Sequence, residues 1–369
     1  MIDRSEFEAA GLLGPDSDPG RLEMLEWLDE LGFTVDAMVA ADGQKGLRSM
    51  ASDRRLFGEP TLSREQASII SGVPEHRQRV ISVALGFSAS TGESEAGFGL
   101  TEAEARMVGL LSAASGTFSD EEGLGFIRVL GSAMGRVADA AIATFLTDVE
   151  GPHLEADGNE LELAHKLFEA VGLVDELVTV FDPLLRRQMM QSIERSRLTA
   201  IDDVERLRHR YAVGFVDLVG FTPISHGMSS RDLSVFIRTF EGRAQEAVTS
   251  HGGRVVKLIG DEVMFVAPNP NLACAAAQAL LEAIDTVDER SLLPRAGLAY
   301  GEVLGRGGDY YGDVVNLASR LVDEAVPQEL LVTEAFASAA DQIEFEPAGR
   351  RMLKGFEQPV VVLSSLLDS

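Results

Sequence analysis

The chain has 369 residues, with 32 Lys and Arg against 59 Asp and Glu and a formal net charge of −27. An acidic surface of this strength repels phosphate backbones and anionic lipid headgroups, which disfavours nonspecific nucleic-acid binding and electrostatic membrane attachment as its main tasks. With 45% hydrophobic and 25% charged residues the composition is globular, and the length predicts about two domains, each able to bury a core.

At the N-terminus, MIDRSEFEAAG lacks the basic-then-apolar pattern of a secretory signal. No apolar run approaches the roughly 18 residues of a membrane span. The expectation is therefore a cytoplasmic protein with no membrane insertion. Helical patterning predicts helices near 19–31, 35–42, 63–71, 74–85, 101–114, 119–148, 159–171 and 173–180, with almost no β-type alternation. Thr101 with Glu104, and Ser119 with Glu122, fit the capping box that opens a helix.

Residues 1–182 thus read as an all-helical domain. Within it, residues 62–87 have the outline of a helix-turn-helix, with Gly72 near the turn and Arg77 and Arg79 on the second helix. Residues 1–200 hold 17 basic and 34 acidic residues, so this outline is read as structural and no nucleic-acid partner is expected. The helices carrying Met24, Met38, Met107 and Met134 admit two readings, plain core packing or the lining of a lipid-like ligand.

After Pro183 the chain reaches Arg210 with no Gly or Pro and is rich in Arg, Leu, Met and Glu, all good helix formers. Residues 183–210 are read as a helical linker, which transmits displacement where a Gly/Ser linker would not. Beyond it the period changes. Residues 211–218, 254–259, 262–267 and 295–304 read as strands, and 229–250 and 271–287 as helices, with Gly260 and Asp261 closing a hairpin. The lone cysteine, Cys274, sits in the run LACAAAQALL, which excludes an internal disulfide and predicts a buried thiol. The fold class expected is α+β: an all-α N-terminal domain, a helical linker, and a C-terminal βαββαβ domain (211–369) of ferredoxin-like plan. Its antiparallel sheet is expected to be covered by helices on one face.

Two aspartates are placed for chemistry. Asp217 ends an apolar strand before a glycine turn, and Asp261 sits at the hairpin tip. In this plan the two segments can be sheet neighbours. Carboxylates held together repel, and a hard divalent ion such as Mg²⁺ or Mn²⁺ removes that penalty. Aspartate is also common in turns, and the residues alone leave both readings open.

The segments FVDLVGFT, VVKLIGDEVMF and DYYGDVVNLASR, in this order within residues 207–365, resemble the signature segments of class III nucleotide cyclases. The resemblance implies conversion of a nucleoside triphosphate to a 3′,5′-cyclic nucleotide and pyrophosphate, assisted by two Mg²⁺ or Mn²⁺ ions. Carried over, it makes Asp217 and Asp261 the metal ligands, Lys257 and Asp309 the base-selecting pair, Asn316 the ribose-positioning residue and Arg320 the transition-state arginine. A Lys/Asp pair suits adenine, because the ammonium donates to a ring nitrogen and the carboxylate accepts from the exocyclic amine. ATP is the expected substrate.

One departure is Phe356, which stands where many members carry a phosphate-binding lysine; Lys354 is nearby. The family builds its site between two catalytic domains, so a single domain with the full set implies a homodimer. The whole layout is similar to actinobacterial two-domain adenylyl cyclases, in which a helical N-terminal domain inhibits and acidic pH relieves inhibition. His209, flanked by Arg208 and Arg210 at the end of the linker, is the regulatory candidate, since its protonation adds like charge at a hinge. The alternatives are a guanylyl cyclase, a diguanylate cyclase (Gly260-Asp261-Glu262 echoes GGDEF, but Ile259 replaces the first glycine), or a DNA-binding or scaffolding regulator with an inactive cyclase domain.

Overall fold

The computed structural model describes residues 2–58, 62–87, 100–156, 158–201, 208–285 and 292–366. The chain divides into two compact units, Met1–Arg186 and Arg187–Ser369.

The first unit is built of helices joined by short loops, with one isolated β-bridge, Leu62 to Leu100, among its described residues. Helices Arg21–Glu30, Val35–Gly43, Arg64–Ser71, Glu75–Ala84, Glu102–Ser115 and Asp120–Phe145 fall where the periodicity puts them, and Arg4–Ala9 and Met50–Phe57 add to them. The Thr101 capping box forms in full, Ser119 Oγ accepts from the Glu122 N–H as one half of the expected box, and a second full box joins Ser63 and Gln66. Phe7, Met24, Leu25, Leu28 and Met38 build one core, and Val73, Ile81, Val108 and Ile127 a second. Met24 and Met38 are thus core residues. Met107 and Met134 instead line an apolar cavity of about 890 Å³ with Leu85, Phe87 and Leu111. In the helix-turn-helix outline, Arg77 donates to both carboxylate oxygens of Asp120, at 2.5 and 2.9 Å, and so has a structural partner.

Three expectations are corrected. The helices expected at 159–171 and 173–180 and the start of the linker are one helix, Glu160–Thr199, running through Gly172 and Pro183. Pro183 removes one backbone hydrogen bond, and the helix formers on both sides carry the helix past it. The linker helix also stops at Thr199 and Arg208 begins a strand, so His209 and Arg210 are strand residues; residues 202–207 lie outside those described. Third, the helical stretch Asp120–Leu154 contains an 18-residue window of mean hydropathy 1.3, long and apolar enough to cross a membrane by length and composition. Scattered charges such as Arg128, Arg136 and Asp139 interrupt it, which is why no continuous apolar run marks it.

In the second unit the strands are β1 (Arg208–Val219), β2 (Arg254–Ile259), β3 (Glu262–Ala267), β4 (Leu293–Arg306), β5 (Asp309–Tyr311), β6 (Glu329–Thr333), β7 (Glu346–Arg351) and β8 (Val360–Leu366). They form one sheet of order β2-β3-β1-β4-β6-β8-β7, with β5 paired to β4. The expected βαββαβ core is present, but the sheet is mixed, since β4 and β6 run parallel. It is also covered on both faces. Helices Ser230–Ser250 and Pro270–Asp285 bury Phe236, Phe240, Cys274 and Leu280 with Ala212, Val216 and Phe265. On the other face Ala318 and Val322 of helix Asp313–Glu324 pack with Tyr211, Val213, Phe215 and Met264.

Candidate active site

Strand alternation sends Tyr211, Val213, Phe215 and Asp217 to the face that bears the Asp313–Glu324 helix. Register then does the rest. Asp217 lies directly opposite Glu262 on β3 and Arg295 on β4, so the three side chains share that face in a row. Arg295 donates to Asp217 Oδ2 through Nε at 2.9 Å and Nη2 at 2.7 Å. Its Nη1 donates to the Asp323 carbonyl at 2.8 Å, a cation on the carbonyl end of the helix.

Asp261, in the β2–β3 turn, joins this end of the sheet. Burial pushes its carboxyl up and the nearby Asp217 charge adds to this, against its backbone hydrogen bond and Arg295. Glu262 is pushed up to about 7, first by burial and then by Asp217, Asp323 and Asp261. The four carboxylates therefore outnumber the guanidiniums of Arg295 and Arg320 here. The oxygen donors of Asp217 and Asp261 suit a hard divalent cation, whose charge would remove the mutual repulsion. Among the described residues no group of three or more His, Cys, Asp and Glu is arranged to hold a metal. An ion here needs further oxygens, which a triphosphate can supply.

Lys257 faces the same side, paired in register with Met264. Its Nζ donates to Asp309 Oδ2 at 2.6 Å, and Asp309 Oδ1 accepts from the Tyr310 N–H at 2.8 Å. The pair forms because the β4–β5 hairpin folds back over the sheet. Gly307 and Gly308, with φ of 63° and 84°, make the two-residue turn. The Tyr310 ring meets Tyr211 edge-on at 5.1 Å, and Arg254 Nη2 donates to the Gly308 carbonyl at 3.0 Å.

Asn316 and Arg320 stand one turn apart on the Asp313–Glu324 helix, Asn316 exposed and Arg320 half-buried. Arg320 Nη1 donates to Asp323 Oδ2 at 3.2 Å. The helix rests directly on β4 at Gly297, where an added Cβ would lie 2.3 Å from the Val322 nitrogen. The structure thus brings Lys257 to Asp309 and Asp261 towards Asp217, and places Arg320 on the helix whose end Arg295 holds.

His209 lies apart from this group, eight residues before Asp217 on β1. Its Nδ1 is 3.2 Å from Thr199 Oγ1, and burial lowers its pKa. Phe356 packs against Leu321, Leu331 and Leu353, while Lys354 is exposed. Arg295, Glu262 and Asp323 were not singled out from sequence. The one signal for Arg295 and Glu262 is that each flanks a buried strand next to an expected site segment; only the register shows them facing Asp217.

Residues 206–364 match the model of the adenylate and guanylate cyclase catalytic domain. An adenylate cyclase of Streptomyces coelicolor is 35% identical over 271 residues, which cover 72% of this chain and 68% of that protein. The chain belongs to the class III adenylate and guanylate cyclase family. The likeness of this cyclase to others also takes in its helical half. An uncharacterised Mycobacterium tuberculosis protein is 31% identical over 98% of the chain and 93% of its own length. A pH-sensitive adenylate cyclase of the same species is 27% identical over 95% of the chain and 89% of its own.

Proposed function

We propose that this cyclase converts ATP to 3′,5′-cyclic AMP and pyrophosphate at two equivalent sites of a homodimer. The observation that carries the substrate assignment is the Lys257–Asp309 pair at 2.6 Å, a donor and an acceptor side by side that match the adenine edge and oppose that of guanine. In the reaction the ribose 3′-oxygen gives up its proton to solvent water and bonds to the α-phosphorus. The bond from that phosphorus to the bridging oxygen breaks, and pyrophosphate leaves with the electron pair.

Arg320 supplies a fixed positive charge for the oxygens that become more negative, a contribution of about 10²-fold in rate or more. Asn316 presents an exposed amide for the ribose. Asp217 and Asp261 would hold two Mg²⁺ or Mn²⁺ ions, whose chemistry would be to neutralise the phosphates and acidify the attacking hydroxyl. Arg295 fixes the orientation of Asp217 through two hydrogen bonds. A single catalytic domain per chain and the exposure of Asn316 support a site completed by a second copy.

The helical half, residues 1–182, acts as the regulator through the helical segment that follows it. His209 contributes a pH response, and the apolar cavity beside Met107 and Met134 takes a lipid-like ligand. The protein works in the cytoplasm. The test is an assay of the purified full-length chain with ATP or GTP and either ion. Cyclic AMP from ATP is expected, and replacing Lys257 and Asp309 together by Ala should reduce the preference for ATP over GTP by about 10–100-fold. A preference for GTP in the unaltered protein contradicts the assignment. His209→Ala should flatten the activity–pH profile; an unchanged profile removes His209 from the regulatory account.

A further inference from the structure

A cleft of about 220 Å³ opens between the last turns of the Glu160–Thr199 helix, β1 and the β4–β5 hairpin. Arg195, Arg254, Arg306, His209, Ser192 and Ser196 are among its lining residues. Three guanidiniums and an imidazole in one small concavity are a local inversion of a chain whose net charge is −27. The one acidic side chain of the lining, Asp309, has Oδ2 already engaged by Lys257 at 2.6 Å. Arg254 is held in place by the Gly308 carbonyl and by the Tyr310 ring, 5.4 Å from its guanidinium. Yet its Nε is buried with no hydrogen-bond partner. A buried donor without an acceptor is costly, so this guanidinium is under-satisfied beside the cleft that its side chain lines.

We infer that this cleft is a binding site for a small phosphoryl anion, inorganic phosphate or pyrophosphate. The volume lies below the roughly 300–1,000 Å³ of sites that enclose drug-sized ligands, which favours a small anion over a whole nucleotide. Guanidiniums match tetrahedral phosphoryl oxygens through paired N–H donors, and the serine hydroxyls add two more donors. The helix end that forms one wall contributes carbonyl oxygens, so the attraction comes from the side chains. The site is separate from the carboxylate end of the sheet: His209 and Asp217 are eight residues apart on β1, roughly 26 Å along the strand. It borders the base-selecting pair through Asp309, which couples occupancy of the cleft to the position of the β4–β5 hairpin.

The test uses the full-length chain stripped of divalent ions and without ATP, so it does not depend on the cyclase assignment. Calorimetric titration with phosphate and with pyrophosphate, separately, should show one saturable site per chain, and the tighter of the two names the anion. Arg254→Gln and Arg195→Gln, on separate elements, should each weaken binding by about tenfold or more. Arg254→Lys, which keeps the charge but loses the paired donors, should recover only part of it, and thermal unfolding checks the fold of each variant. Arg320→Ala should leave binding intact. Absence of saturable binding, or binding lost in Arg320→Ala and kept in the Arg254 and Arg195 variants, overturns the inference.

Discussion

Asp217 and Arg295 are both about four-fifths buried and joined by two hydrogen bonds. Removing the guanidinium leaves Asp217 beside Asp261 and Glu262 with no counter-charge. Arg295→Ala should therefore cost about 1.5–3 kcal/mol in urea unfolding of the metal-free chain, with Mn²⁺ restoring part of the loss. Cys274 is fully buried, and burial pushes its thiol up to about 12. The native protein at pH 8 should resist iodoacetamide, and the urea-unfolded chain should take up one equivalent.

His209 titrates in the opposite direction. Its folded-state pKa lies below the ordinary 6.5, so below that pH the unfolded chain binds a proton that the folded chain resists. The stability present above pH 6.5 is lost as pH falls through the folded-state value. His209→Gln should reduce that acid-side loss, measured by thermal melts from pH 7.5 to 5.

At the level of elements, the helix that carries Asn316 and Arg320 lies on β4 through Gly297, with backbone against backbone. Gly297→Ala has to lift the helix, since the added carbon meets the Val322 nitrogen and the Ala318 carbonyl, neither of which can rotate away. It should cost about 1–3 kcal/mol and lower kcat more than it raises KM for ATP.

β1 to β4 and the Ser230–Ser250 and Pro270–Asp285 helices were legible as apolar runs with clear turns at their ends, whereas β5 to β8 and the Asp313–Glu324 helix were not read from the sequence. The β2–β3 hairpin falls on the expected residues, with Gly260 at φ 65°. Lys257, Asp217 and Asp261 were legible as polar residues set in apolar runs. Arg295, Glu262 and Asp323 were not, because their meaning lies in cross-strand register and in a helix end that meets β4, both long-range facts. The break expected before Pro183 failed for a related reason. Local propensity weighs one proline, whereas the continuous Glu160–Thr199 helix reflects the good helix formers around it.

For the whole molecule, the charge of −27 and the anionic substrate pull in opposite directions. The fold meets this by collecting scarce cations on one sheet face and in one cleft. Lys257 and Arg320 serve the proposed nucleotide site, while Arg195, Arg254 and Arg306 line the separate concavity. The 159 residues that match the catalytic domain contain one set of candidate residues, and each proposed site takes residues from two chains. Mixing inactive Asp217→Ala and Arg320→Ala full-length chains measures this directly. With free exchange, half the dimers are mixed and each has one intact site, so activity should return to about a quarter of the unaltered level. Activity no greater than the sum of the two variants alone, with exchange shown by differential tagging, would contradict a shared site.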